Sequence, residues 1–210
     1  MLLSAIVDEP PQGTEVLEVD GLTAVLLPDG VDQEPGALLL RQAAAVAALM
    51  DDCPAVLPVR AGTRVRDHHE VRELLSARHD EFREGLDRVR GCVEVGVRIA
   101  LADDEPSEAG EAGRGDGRAY LVRRTRAWRR ADDLVRRLSG CLALPGVRDV
   151  AVLACTPATV KVSVLVERVR LDAVRSALVD AVGPGQGDVV VAGPFPPYSF
   201  TTSRPRGRPA

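Results

Sequence analysis

The chain has 210 residues, with 45% hydrophobic and 28% charged residues and a formal net charge of −4. That length buries a real core in one large or two small domains, and that balance excludes a disordered chain and a strongly basic nucleic-acid binder. A single Lys, Lys161, stands against 26 Arg, a ratio that reads as codon usage and lowers the weight given to any Arg cluster.

Three short apolar runs open the chain: Leu2–Val7, Glu15–Val19 and Leu22–Leu27. Asp20-Gly21 between the last two is a hairpin signal. Pro35-Gly36 then leads into Ala37–Met50, a run rich in Ala and Leu whose only polar residues are Arg41 and Gln42. This reads as a helix nearly apolar all round, expected to be buried on several sides rather than to meet a partner. Ala55–Arg60 reads as a strand. From Asp67 one amphipathic helix is expected, with Val71, Leu74, Leu75, Phe82, Leu86 and Val89 on a single face and Gly91 ending it.

Cys92–Leu101 alternates as a strand, with Val93, Val95, Val97 and Ile99 on one side and Glu94 and Arg98 on the other. The acidic, glycine-rich stretch 102–118 reads as a solvated, mobile loop. Ala119–Leu144 carries a helix with Ala127, Ala131, Leu134 and Leu138 inside. Val147–Cys155 and Thr159–Glu167 are β-branched runs joined at Thr156-Pro157. Leu171–Val182 is a helix with Leu171, Val174, Leu178 and Ala181 inside, and Asp188–Ala192 is a last strand. The expected fold class is therefore α+β with two α/β domains, the C-terminal one ferredoxin-like (βαββαβ), and a proline/aromatic C-terminal tail. The expected division is an N-terminal domain over 1–91, a ferredoxin-like domain over 92–192, and an extended tail over 193–210, disordered after about residue 201.

That tail is the most distinctive stretch. The chain holds one Trp, two Tyr and three Phe, and Phe195, Tyr198 and Phe200 fall within Gly193–Phe200, spaced by Pro194, Pro196 and Pro197. Proline fixes φ and removes a donor, so the segment is expected to stay out of helices and sheet interiors. It either packs back to close the fold or offers stiff aromatic anchors to a partner.

No catalytic constellation emerges. His68, His69 and His79 lack metal-ligand spacing. Cys53, Cys92, Cys141 and Cys155 form no CxxC pair and read as reduced thiols of a cytosolic protein. Gly113–Gly117 is glycine-rich but does not open a helix after a strand, as phosphate binding requires. No residue set supports an enzyme site between the domains, and no cofactor or metal is expected. No apolar run is long enough for a bilayer span, and no signal peptide is seen. The Arg-rich stretch Arg123–Arg137 is the best case for nucleic acid, with Arg126, Arg129, Arg130, Arg136 and Arg137 expected opposite the apolar stripe. Yet Val147–Cys155 and Thr159–Glu167 carry none of the stacking aromatics that RNA readout on a sheet needs. Arg60 and Thr63 are weighed as a polar site between the domains against a plain strand-end turn, and the turn is favoured.

Four motifs resemble one family in order. Val56–Thr63, with Pro58, Arg60, Gly62 and Thr63, resembles the Leu-Pro-x-Arg-Phe-Gly-Thr segment of the GvpF/GvpL gas vesicle accessory proteins. Gly91–Arg98, with Glu94 and Gly96, resembles that family's Gly-x-x-Glu-x-Gly-Val-Lys strand. Ala119-Tyr120-Leu121 resembles its Tyr-Leu helix opening, and Gly193–Phe200 resembles its Gly-Pro-Trp-Pro-Pro-Tyr-Ser-Phe ending. Ala61 and Phe195 replace a Phe and a Trp, and Arg41-Gln42 replaces a histidine. The resemblance implies a cytoplasmic, gas-vesicle-associated protein without enzymatic activity. It implies that the protein assists shell assembly by binding the shell protein GvpA and other accessory proteins, not nucleic acid or membrane. A ferredoxin-like regulatory or RNA-binding module is the alternative.

Overall fold

A computed structural model describes residues 1–29, 35–101 and 117–201. The chain divides into two compact units, Met1–Glu94 with the segment from Pro194 onward, and Val95–Gly193.

The first unit opens with strands β1 (Leu2–Val7), β2 (Glu15–Val19) and β3 (Leu22–Leu27). Asp20 and Gly21 both take positive φ, 48° and 78°, the pair that a two-residue turn needs to match strand twist. Helix α1 (Pro35–Asp52), strand β4 (Val56–Pro58), and helices α2 (His68–Ala77) and α3 (His79–Val89) follow. The sheet order is β2-β3-β1-β4, with β1 antiparallel to both β3 and β4. All six residues of β1 are buried, so both faces of this central strand are covered. Helix α1 packs on β1 and β4, α2 on β2 and β3, and α3 on β3 and β4.

The single helix expected from Asp67 is two. Asp67 caps α2 by accepting the Glu70 N–H at 2.9 Å, but Arg78 leaves helical geometry at φ −120° and ψ 25°. Beyond it Asp80 and Glu81 sit in a new first turn, where acids favour the exposed N–H groups. Arg78 holds the break, donating to both Glu81 oxygens at 2.7 and 2.6 Å and lying 4.8 Å over the Phe82 ring.

The remaining elements are β5 (Cys92–Leu101), which enters the second unit at Val95, α4 (Gly117–Gly140), β6 (Val147–Cys155), β7 (Thr159–Glu167), α5 (Leu171–Val182) and β8 (Gly187–Phe195), which leaves it after Gly193, in the sheet order β6-β7-β5-β8. β6 and β7 pair antiparallel across a turn closed by Thr156 and Thr159. Alternate residues of β5 and β7 (Val95, Val97, Ile99; Val160, Val162, Val164) pack with Leu134, Leu138, Val174 and Leu178 from the helices. Gly183 ends α5 at φ 77°. Of the expected mobile loop 102–118, residues 102–116 lie outside the described residues, and Gly117 and Arg118 instead begin α4.

Candidate partner-binding surfaces

The tail does not stay wholly extended. β8 continues through Pro194 to Phe195, which its place at the sheet edge allows because a missing N–H costs nothing on the unpaired side. Pro196 and Pro197 are buried. Tyr198–Phe200 then close one 3₁₀ turn, in which Phe200 N–H donates to the Pro197 carbonyl at 3.1 Å. The expectation of no helix at all is corrected to this extent: a proline can precede a turn that it cannot enter.

Glu94 holds the turn. Its carboxylate, 7% exposed, accepts the Ser199 N–H at 2.8 Å and the Ser199 hydroxyl at 2.7 Å. Arg88 donates to the Phe200 carbonyl at 3.4 Å, and the Phe200 ring is buried. Glu94, expected on the polar side of its strand, is thus a buried partner of the tail. Pro194, Phe195 and Tyr198 remain exposed, and partial burial pushes the Tyr198 phenol above its ordinary range.

The Gly-Thr motif forms a turn. Pro58 is buried in β4, whereas Arg60 is exposed. Gly62 takes φ 80°. Thr63 donates both its N–H, at 3.1 Å, and its hydroxyl, at 2.6 Å, to the Arg60 carbonyl. Gln42, buried on α1, accepts the Gly62 N–H at 2.8 Å and donates to the Leu3 carbonyl at 3.4 Å. Sequence reasoning missed this role; the signal was one amide inside an apolar run. Gly96 is half-buried in β5, and the Tyr120 side chain lies outside the described residues.

Helix α1 corrects another expectation. Only the stripe Leu38, Gln42, Val46, Leu49 and Met50 is buried, while Leu39, Leu40, Ala43, Ala44, Ala47 and Ala48 are exposed. Leu40 is 74% exposed. The result is a face of Leu and Ala on the outside of the first unit, with the partly exposed Arg41 beside it and the exposed Asp51 at its C-terminal end.

The histidines occupy surface pairs: His68 with Glu15 at 3.2 Å, His69 with Glu73 at 3.4 Å, and His79 with Asp80 and the Asp20 carbonyl, each at 3.2 Å. Among the described residues no three His, Cys, Asp or Glu side chains gather as a metal site, and no helix is long and apolar enough to cross a membrane. On α4, Arg137 is exposed, and its guanidinium also donates to the Val182 carbonyl at the end of α5, at 3.2 Å.

The family described as gas vesicle synthesis protein GvpL/GvpF matches residues 4–202 of the chain. Gas vesicle protein L of Streptomyces sp. (strain CB03234) is 36% identical over 175 residues, which cover 70% of this chain and 62% of that protein. The chain therefore spans less than two thirds of this relative's length. The crystal structures of GvpF from Anabaena sp. PCC7120 and Microcystis aeruginosa superpose with TM-scores of 0.76 and 0.74, at 14% and 15% identity. The matches cover 97% and 96% of this chain and 98% of each of those chains.

Proposed function

Since the chain belongs to the GvpL/GvpF family of gas vesicle synthesis proteins, we propose that it is a non-enzymatic accessory protein of shell assembly. In this reading it acts in the cytoplasm and at the vesicle by binding the shell protein GvpA and other accessory proteins. The second unit is read as ferredoxin-like from its βαββαβ element order and its β6-β7-β5-β8 sheet.

The observation that carries the shell contact is the exposed face of α1, with Leu39, Leu40, Ala43, Ala44, Ala47 and Ala48. Small side chains let another backbone approach closely, and Leu and Ala themselves carry no charge to desolvate. Burying Leu40 alone would contribute about 1–2 kcal/mol. A shell subunit docked here would have its own apolar surface covered before insertion, when exposed strands would otherwise pair with one another. Phe195 and Tyr198, held out by the anchored turn at Ser199 and Phe200, are proposed as a second contact.

Co-purification with co-expressed GvpA tests the reading. Wild type should retain the shell protein, and a Leu40→Asp/Ala44→Asp variant with unchanged circular dichroism should lose it. Equal retention by both would move the contact off α1. No retention by folded wild type would refute direct shell binding.

A further inference from the structure

The two sheets have the outer strands β2, β4, β6 and β8, and the first three are protected. β2 carries the exposed Glu15 and Glu18, with α2 packed against it. β4 is three residues long and includes Pro58. β6 meets β7 through two register shifts, between Val147 and Asp149 and between Val152 and Ala154. Charge, proline, short length and bulges keep a strand edge from pairing with another chain. β8 instead presents the run Val189-Val190-Val191-Ala192, uncharged and without proline. It ends its sheet, so among the described residues no strand pairs with its outer side, and Val190 is 54% exposed.

An open groove runs between α5 and this edge, lined by Arg175, Ser176, Val179, Asp180 and Val191. Val179 is 51% exposed. Arg175 donates to the Gly193 carbonyl, which sets it at the level of Gly193, while Asp180 shares the groove with Val191. Five helical residues span about 7.5 Å at roughly 1.5 Å each, close to two strand residues at about 3.3 Å each, so the two placements agree. Neither Arg175 nor Asp180 has an ion pair among the described residues, and nor does Asp172, one turn before Arg175. The Arg175 Nε is buried without a hydrogen-bond partner. The groove thus holds one charge of each sign, each lacking a counter-charge, on either side of the Ala192 level. Asp188 alternates with Val189 and Val191, which pack toward the helices, so it lies on the opposite face of the sheet from these charges.

A surface that offers β8 a strand, an acid opposite Arg175 and a base opposite Asp180 is this same surface turned about a two-fold axis. We propose that β8 pairs antiparallel with β8 of a second copy of the chain, about an axis at Ala192, joining two four-stranded sheets into one. Each Arg175 then faces the other copy's Asp180, so the charges are matched twice. Val179 is covered in the same contact, and Val190 gains cross-strand neighbours on the other face. This contact lies in the second unit and does not depend on the α1 face or on shell binding.

Sedimentation of the full chain over a concentration series tests it. The mass should rise from 22.4 kDa toward twice that value and stop there, because a two-fold contact closes on itself. Val190→Lys, at an exposed edge position, should hold the chain at the monomer mass. Arg175→Asp and Asp180→Arg each set like charges opposite one another and should weaken dimerisation by about tenfold or more. An equimolar mixture of these two variants should restore it, since each copy then supplies the charge the other needs, a rescue that a merely structural role would not give. If either of them loses the wild-type circular dichroism, Val190→Lys carries the test. Four results would each overturn the proposal: wild type that stays at 22.4 kDa throughout, mass growth past the dimer, a folded Val190→Lys chain that dimerises like wild type, or folded single variants that the mixture does not rescue. The first of these would leave the edge to a strand of a different protein.

Discussion

Replacing Glu94 with Gln tests what anchors the tail. The carboxylate of this buried residue accepts two bonds from the half-buried Ser199, at 2.8 and 2.7 Å. A Gln of the same shape keeps one oxygen for the Ser199 N–H and turns its NH₂ toward the hydroxyl, so both contacts survive as neutral bonds. Bonds to a charged group contribute about 1.5–3 kcal/mol and neutral ones about 0.5–1.5. The exchange should therefore cost about 2 kcal/mol in tail anchoring. If the tail opens locally, that corresponds to roughly 30-fold more frequent opening. Native-state hydrogen exchange on a C-terminal peptide covering Pro196–Thr201 measures it. Amides there should exchange roughly 30-fold faster in the variant, while peptides from β6 and β7 stay at wild-type rates. An unchanged tail rate would refute the anchoring role. An equal acceleration everywhere would show that Glu94 supports the whole fold and not the tail.

Two further perturbations follow from the geometry. A Cβ at Gly85 would sit 2.8 Å from a Leu57 methyl, whereas one at Gly140 would meet nothing within 4 Å. Gly140→Ala should raise stability by about 0.4–1 kcal/mol, while Gly85→Ala should lose about 0–2 kcal/mol once overpacking offsets the helical gain; urea midpoints that move the same way for both would contradict this. His79 is held above its ordinary pKa first by Asp80 and then by the Asp20 carbonyl, so its contribution is full below the unfolded value and fades as pH rises through the folded one. The stability gap between wild type and His79→Gln should therefore narrow on going from about pH 6 to about pH 8, and a gap that widens would reverse the assignment.

The elements with local signals were readable from residues alone. Asp20-Gly21 fixed the β2–β3 hairpin, Thr156-Pro157 the β6–β7 turn, and Gly183 the end of α5. What escaped carries no breaker residue type or depends on distant partners. Arg78 is not a breaker by type, and the break goes with its pair to Glu81 and the acidic first turn that follows within three residues. Glu94 follows the alternation of a solvent-facing residue, and only the return of Ser199, 105 positions later, makes it buried. The composition of α1 implied burial on every side because Ala and Leu leave no polar face to read. Which of those apolar residues finds the core was set by Gln42, whose amide bonds the Gly62 N–H and the Leu3 carbonyl.

The division of the chain bears on its synthesis. The first unit holds Met1–Glu94 but also the segment that begins at Pro194, with all of Val95–Gly193 between. A ribosome delivers those pieces in order, at about 5–20 residues per second. The second unit therefore has its full sequence while the first still lacks Ser199 and Phe200. Until they arrive, Glu94 is without the two bonds that Ser199 provides and the site that buries the Phe200 ring is unfilled. The nascent protein has its α1 face before it has its closed first unit, so a partner recognising α1 meets the chain earlier than one that needs the finished tail.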